Sequence, residues 1–202
     1  MAQMHEITVW TPGVVKDKEG RDVAQALARA GQREGWFVQA FDNYVDLPDR
    51  VNVPVRKYCR LSDEEIETRY EYENHHPEVV VLVEAAIVKG MNVLRGMRKG
   101  GILVVNTDRK PEDILKFIPN KDLLKAIACV DAYGIAGKST VDFSGTEGGV
   151  DATALGAGIA APLLGALAKA TGLVKLESLE AVVANKEALK RGYEQAVITS
   201  LN

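Results

Sequence analysis

The chain has 202 residues and a mass of 21.9 kDa, enough for one full hydrophobic core. Hydrophobic residues make up 47% and charged residues 26%, which excludes an intrinsically disordered chain. Lys and Arg number 25 against 28 Asp and Glu, so the net charge of −3 speaks against a nucleic-acid binder. The two cysteines, Cys59 and Cys129, are too few and too far apart for a disulfide framework or a four-thiolate metal centre, and they point to a reducing, cytoplasmic setting.

The N-terminal residues lack a basic stretch followed by an apolar run, so no signal peptide is expected. The longest uncharged stretch, residues 152–168, spans 17 residues. It is rich in Ala and Gly, contains Pro162, and falls short of the roughly 20 residues a bilayer requires. It reads as a buried helix whose small side chains permit close packing, in a soluble chain without a membrane partner. No repeat or linker divides the sequence, so residues 1–202 are expected to form one domain.

Taken in order, residues 7–10 read as a first strand. A helix follows within residues 20–35, where Val23, Ala24, Leu27, Ala30 and Gly31 share one stripe. Residues 37–41 form a second strand. Residues 53–61 form a third, with Val53, Val55, Lys57, Cys59 and Leu61 alternating on one face. The acidic run 63–67 follows Ser62, a residue suited to cap a helix whose first turn carries the negative charge. The β-branched runs 79–83 and 102–105, apolar on both faces, suit central strands covered by helices. Residues 86–97 read as a helix between them. Residues 111–118 read as a short helix opened by Pro111, and residues 126–130 as a weaker sixth strand. Five glycines lie within residues 142–158, which read as a loop beside a ligand. Asn185 caps a last helix carrying Leu189, Tyr193, Ala196 and Val197 on one face. Strands alternating with helices predict a single α/β domain, Rossmann-like, with a mostly parallel sheet and helices on both faces.

Candidate chemistry is sparse. The first strand-to-helix turn, residues 11–20, occupies the place where a doubly wound fold holds phosphate at a helix start, yet it has neither G-x-G-x-x-G nor a Walker pattern. Its Lys16 and Lys18 face Asp17 and Glu19 in sequence, and a plain solvated loop is the simpler reading. Adjacent His75 and His76 point apart on an extended segment and read as a surface turn, with His5 at a frayed terminus and no metal site. Asp142 and Ser144 lack a neighbouring base, so a nucleophilic serine is weakly supported. Tyr44, Arg50, Arg56, Lys57 and Arg60 make the most basic stretch, either a solvated face or an anion-recognising one. No complete catalytic set is present, and no catalytic residue or metal ligand is assigned.

Three stretches carry a resemblance to a known family. The most specific runs from Leu163 to Val174, LLGALAKATGLV, and continues through Leu176-Glu177-Ser178-Leu179-Glu180. A second joins Pro77-Glu78-Val79-Val80-Val81-Leu82, through Leu94-Arg95-Gly96, to Lys99-Gly100-Gly101-Ile102-Leu103-Val104-Val105-Asn106-Thr107. The third is Ala188-Leu189-Lys190-Arg191-Gly192-Tyr193-Glu194. Together they resemble the gamma subunit of the 2-oxoacid:acceptor oxidoreductases of pyruvate:ferredoxin type. The resemblance implies a Rossmann-like domain working with alpha, beta and ferredoxin-like delta subunits, and with a flavin or NAD subunit in some complexes. It further implies thiamine diphosphate with magnesium, iron–sulfur clusters and coenzyme A in the complex, none of the cofactors bound by this chain alone. By the same resemblance, the chain supports subunit assembly and the coenzyme A entrance, with Gly13, Lys16, Lys18, Arg50 and Asn106 on the loops that face coenzyme A.

Two departures mark a divergent branch. The family's glycine-rich G-x-G-G-Q-G turn is replaced by the bulkier, charged residues 11–20. Its YGPERRGAPV region is replaced by residues 44–55, YVDLPDRVNVPV. These changes carry the expectation of a less common 2-oxoacid, such as phenylglyoxylate. A free-standing nucleotide- or acyl-CoA-binding module is the alternative.

Overall fold

The structure, a computed structural model, describes residues 3–13, 16–43, 53–137, 141–142, 150–151 and 153–201. Of the sequence features singled out above, Tyr44, Arg50, Ser144 and the glycines 145, 148 and 149 lie outside these residues, as does most of the stretch replacing the family's YGPERRGAPV region.

The apolar runs in the sequence become the centre of a sheet. Strands β1 (Met4–Thr11), β2 (Phe37–Asp42), β3 (Val55–Ser62), β4 (Val79–Leu82), β5 (Gly101–Asn106), β6 (Leu124–Val130) and β9 (Val197–Ser200) form one sheet in the order β2-β3-β1-β4-β5-β6-β9. The two-residue strands β7 (Val141–Asp142) and β8 (Val150–Asp151) pair separately in parallel. The four strands β1, β4, β5 and β6 run parallel, as α/β alternation predicts. Strands β3 and β9 run the other way: β3 is antiparallel to both β1 and β2, and β9 is antiparallel to β6.

Alternation along each central strand feeds two cores. Val79 and Val81 of β4 with Ile102 and Val104 of β5 face helices α1 (Asp17–Arg33), α4 (Ala160–Thr171), α5 (Leu176–Glu180) and α6 (Lys186–Gln195). Val80 and Leu82, with Leu103 and Val105, face the other side. There they meet a 3-10 helix (Ala85–Lys89), α2 (Pro111–Leu115) and irregular segments. Helix α3 (Ala132–Ala136) packs with the first core. Both faces being covered explains why these strands read as unbroken apolar runs.

Several elements depart from expectation. Residues 86–97 are not one helix: the 3-10 turn stops at Gly90, and Gly96 takes φ +82° against the carbonyl of His75. Ile87, Val88, Val93, Leu94 and Met97 still reach the core, so burial there is achieved without helical periodicity. The acidic run after Ser62 is not helical either. Ser62 ends β3, and its hydroxyl accepts from the Glu64 amide at 3.2 Å, a local turn that competes with a helix cap. The helix expected over 152–168 begins only at Ala160. Asn185 caps α6 as expected, its Oδ1 accepting from the Ala188 amide at 3.0 Å. Val197, however, leaves the helix and starts β9. His5 is held in β1 rather than frayed: it is buried, its Nδ1 lies 2.7 Å from Glu78, and its ring meets Trp36 edge-on.

The basic stretch is turned inward. Lys57 is 1% exposed between Asp17 and Asp42, and Arg60 is fully buried against Glu6, Glu71, Asn74 and the Glu73 carbonyl. Arg56 pairs with Glu73. These three cations are therefore internal ties of β3, neither a solvated face nor an anion-recognising one. No helix among the described residues is long and apolar enough to cross a membrane.

The small residues of α4 do permit close packing. A Cβ at Gly165 would fall 2.1 Å from the Leu189 carbonyl oxygen, and one at Gly192 2.3 Å from Pro162 backbone atoms. Alanine at Gly192 is therefore expected to destabilise the chain by about 1–3 kcal/mol, despite its better helix propensity. Gly90→Ala, with open space around the added methyl, should stay within about 0.5 kcal/mol of the parent, both variants being read by urea titration.

Candidate functional site

The four parallel strands all end at one edge, and in α/β sheets ligands bind in the crevice outside those carboxyl ends. Here a cleft of about 310 Å³ opens beyond β4, β5 and β6. Its wall includes Glu84, Lys89, Asn106, Arg109, Phe117 and Tyr133.

Asn106, the last residue of β5, is 3% exposed and holds the floor. Its Nδ2 donates to the Val83 carbonyl at 3.0 Å, and its Oδ1 accepts from the Ala132 amide at 3.0 Å. One side chain thus ties the end of β4 to the start of α3, satisfying backbone groups that strand and helix ends leave open. Asp131 completes the start of α3, its Oδ1 accepting from the Gly134 amide at 2.8 Å. Beyond β5, the Thr107 hydroxyl oxygen accepts from the Arg109 amide at 3.0 Å and turns the loop.

The Tyr133 hydroxyl donates to Glu84 at 2.8 Å, and the Lys16 ammonium lies 5.1 Å from the centre of its ring. Burial, then the Glu84 carboxylate that it bonds, hold the Tyr133 phenol well above its usual range, so it stays protonated as a donor. Lys89 and Lys116 both lie over the Phe117 ring, at 5.6 and 5.5 Å. Arg109 makes no ion pair among the described residues, whereas Asp113 is met by Lys116 at 3.0 Å.

This arrangement is equipped to bind: cations stand beside fixed carboxylates and an exposed aromatic face. Such a set suits a polar ligand combining hydroxyls, anionic groups and a flat ring: carboxylates accept from hydroxyls, while Lys and Arg meet anions.

The residues expected from sequence divide at this edge. Asn106 lines the cleft and Lys16 stands over Tyr133 at its side. Gly13 sits in the turn after β1 at φ +107°, where a side chain would be strained, and its carbonyl accepts from the Thr11 hydroxyl at 3.4 Å. Lys18 points elsewhere, to Asp22 and to the Ala154 carbonyl at 3.1 Å. Arg50 lies outside the described residues. Glu84, Arg109, Phe117 and Tyr133 were not anticipated. Each lies beyond or between strand ends, and only the rule that loops after parallel strands carry function would have pointed to them.

Beside the cleft, α1 anchors the approach to α4. Asp22 accepts from the Gly156 amide at 2.9 Å, and Glu19 accepts from the Ala160 amide at 2.9 Å at the start of α4. Burial raises the Glu19 carboxyl above its ordinary range of about 4.5, opposed by the Ala160 amide and the Lys18 charge. Among the described residues, no cluster of His, Cys, Asp and Glu is placed to hold a metal ion. The two cysteines lie on opposite faces of the sheet; burial pushes both thiols up, Cys129 to about 11 with help from Glu112.

Glu19 predicts a signed pH effect. Its folded-state value is raised, so the folded chain takes up this proton before the unfolded chain does. Its contribution to stability is therefore fully present below about pH 4.5 and is lost as pH rises through the folded value. In Glu19→Gln, which keeps the acceptor for Ala160, that component of the pH–stability curve should vanish. Glu19→Ala should cost about 1 kcal/mol at neutral pH through the lost cap, read by chemical denaturation across pH 4–8.

Residues 22–197 match the family described as Pyruvate ferredoxin/flavodoxin oxidoreductase. The pyruvate/ketoisovalerate oxidoreductases common subunit gamma of Thermococcus kodakarensis is 34% identical over 174 residues, 86% of this chain and 80% of that protein. The pyruvate synthase subunit PorC of Thermotoga maritima is 33% identical over 190 residues, 87% of each. The crystal structure of the pyruvate oxidoreductase subunit PORC from Thermotoga maritima superposes with a TM-score of 0.72 at 28% identity, covering 98% of this chain and 99% of that one. The match over residues 22–197, with relatives 33–34% identical over most of both chains, shows that the chain belongs to the pyruvate ferredoxin/flavodoxin oxidoreductase family.

Proposed function

We propose that this chain is the gamma subunit of a multi-subunit 2-oxoacid oxidoreductase, and that its cleft at the carboxyl ends of β4, β5 and β6 faces coenzyme A. The observation that carries the reading is the family match over residues 22–197, together with relatives that are themselves gamma or PorC subunits. In the complex, the 2-oxoacid loses carbon dioxide and two electrons, the acyl group passes to the coenzyme A sulfur as the thiol proton is released, and ferredoxin or NAD takes the electrons. Thiamine diphosphate with magnesium, and iron–sulfur clusters, supply the decarboxylation and electron transfer from alpha, beta and ferredoxin-like delta partners.

The donor set of the cleft fits the nucleotide end of coenzyme A. Lys16, Lys89 and Arg109 supply positive charge for phosphate groups, Glu84 supplies acceptors for ribose hydroxyls, and the exposed Phe117 supplies a face for a base. The chain's role is then to hold one end of the carrier while chemistry proceeds on its partners. Gly13, Lys16 and Asn106 belong to this edge. Lys18 serves it indirectly, through Asp22 and the segment leading to α4. Arg50 completes the set carried over from the family resemblance. A divergent first turn supports a substrate such as phenylglyoxylate, although the relatives above carry the names of pyruvate and ketoisovalerate.

The test is the purified complex. Co-purification of the chain with thiamine- and cluster-bearing subunits, and coenzyme A-dependent oxidation of a 2-oxoacid, are expected. Lys16→Ala and Arg109→Ala should each raise KM for coenzyme A about tenfold with kcat little changed, the order lost with one charge-assisted hydrogen bond. An unchanged KM in both variants rejects the cleft assignment, and a lone chain that binds an acyl-CoA without any partner favours the free-standing module. Turnover of pyruvate far above that of phenylglyoxylate rejects the narrower substrate.

A further inference from the structure

The opposite edge of the sheet carries a second surface that the coenzyme A reading does not use. Among the described residues, strand β9 pairs with β6 on one side only, and it lies last in the strand order. Its Val197 is 58% exposed and its Ile198 38% exposed, so aliphatic side chains stand on both faces of the edge. Exposed edges are normally blunted by lysine, proline or a bulge. The β9 sequence, Val-Ile-Thr-Ser, carries no charge and no proline.

At the end of this strand lies an open groove of about 770 Å³. Leu115, Leu124 and Leu201 line its apolar part, and Lys99, Lys121 and Lys125 stand around it with Asp122 as the one carboxylate among the described lining residues. None of the three lysines has an ion-pair partner among the described residues. A neighbouring cavity of about 350 Å³ shares Lys99, Gly100 and Lys125 and adds Arg98, while its Glu78 is engaged by His5. The groove is continuous with the strand edge, because Ser200 and Leu201 line it and the Leu201 amide donates to the Lys125 carbonyl.

We propose that the outer edge of β9 and the lysine-rimmed groove at its end form the docking surface for an extended, carboxylate-bearing segment of another subunit of the complex. The inference rests on the subunit reading above. An unpaired strand edge offers a row of backbone donors and acceptors that another strand satisfies and a small ligand does not. Four cations facing a single free carboxylate select an acidic segment, and the leucine floor selects one with apolar side chains between the acids.

The experiment uses the separately produced chain and the remaining subunits of its complex. Lys121→Glu/Lys125→Glu and, independently, Val197→Lys should each weaken binding about tenfold, and added salt should weaken the parent more than the charge-reversed variant. All substituted side chains are exposed, and an unchanged urea midpoint establishes folding. On binding, amide exchange should slow in residues 196–201 but not in β2, the other edge. Parent-like binding by both variants, with exchange at 196–201 unaltered, overturns the docking surface and leaves the subunit reading standing. A parent chain that binds none of the other subunits overturns both. A dimer of the free chain that Val197→Lys abolishes, with subunit binding intact, reassigns the edge to a second copy.

Discussion

Two carboxylates on the first turns of α1 organise the edge of the sheet where the parallel strands end. Glu19 accepts from the first amide of α4, and Asp22 accepts from Gly156 four residues earlier. Helix α4 must start somewhere, and its opening amides have no intrahelical partner. Supplying the acceptor from α1 rather than from a local cap residue means that α1 and α4 are positioned together. Both helices begin beside the carboxyl ends of the parallel strands, so the two negative side chains also set the electrostatics of that region. Placing Lys18 against Asp22 and the Ala154 carbonyl extends the same clamp and withdraws that ammonium from the cleft. A cap that depends on another helix is costly to form late in folding, yet it fixes relative placement in a way that a local serine could not.

On the far side of the sheet's centre, β3 solves a different problem. It is buried on both faces but carries Arg56, Lys57 and Arg60. Each cation meets carboxylates on other elements: Lys57 joins α1 to β2, and Arg60 joins β1 to residues 71–74. Buried ion pairs contribute modest net stability, but removing one partner strands the other charge, which is commonly a loss of about 3–5 kcal/mol. The consequence is register. With period-two alternation, a one-residue slip of β3 would place Lys57 and Arg60 on each other's faces, away from every partner they have.

These ties also explain what was and was not legible. The central strands were, because residues buried on both faces leave unbroken β-branched runs such as Val79-Val80-Val81-Leu82. The cap of α6 was, because Asn185 acts on its own neighbour Ala188. Residues 86–97 misled, since Ile87, Val88, Val93 and Leu94 are buried by a chain that Gly90 and Gly96 bend out of helical geometry. Ser62 misled because its hydroxyl serves a turn that ends a strand. The basic stretch misled most: charge density at Arg56, Lys57 and Arg60 suggested a surface, and nothing local records that Asp17, Asp42, Glu6 and Glu71 wait for them across the fold. In the cleft, Asn106 was reachable as a polar end to an apolar strand. Tyr133 and Glu84, 49 residues apart, meet only when β4 and α3 are brought side by side.

The sequence by itself determined the α/β class, the parallel centre, the close packing of the Ala- and Gly-rich helix and the family, because these rest on periodicity, composition and ordered local motifs. Tertiary structure alone decided the antiparallel flanks, the inward turn of the β3 cations, the clamp from α1 to α4 and the composition of the cleft. The physical reason is common to all four. Each depends on hydrogen bonds and ion pairs between residues far apart in the chain, whose desolvation is tolerable only once both partners arrive, and a partner's arrival is a property of the packed molecule.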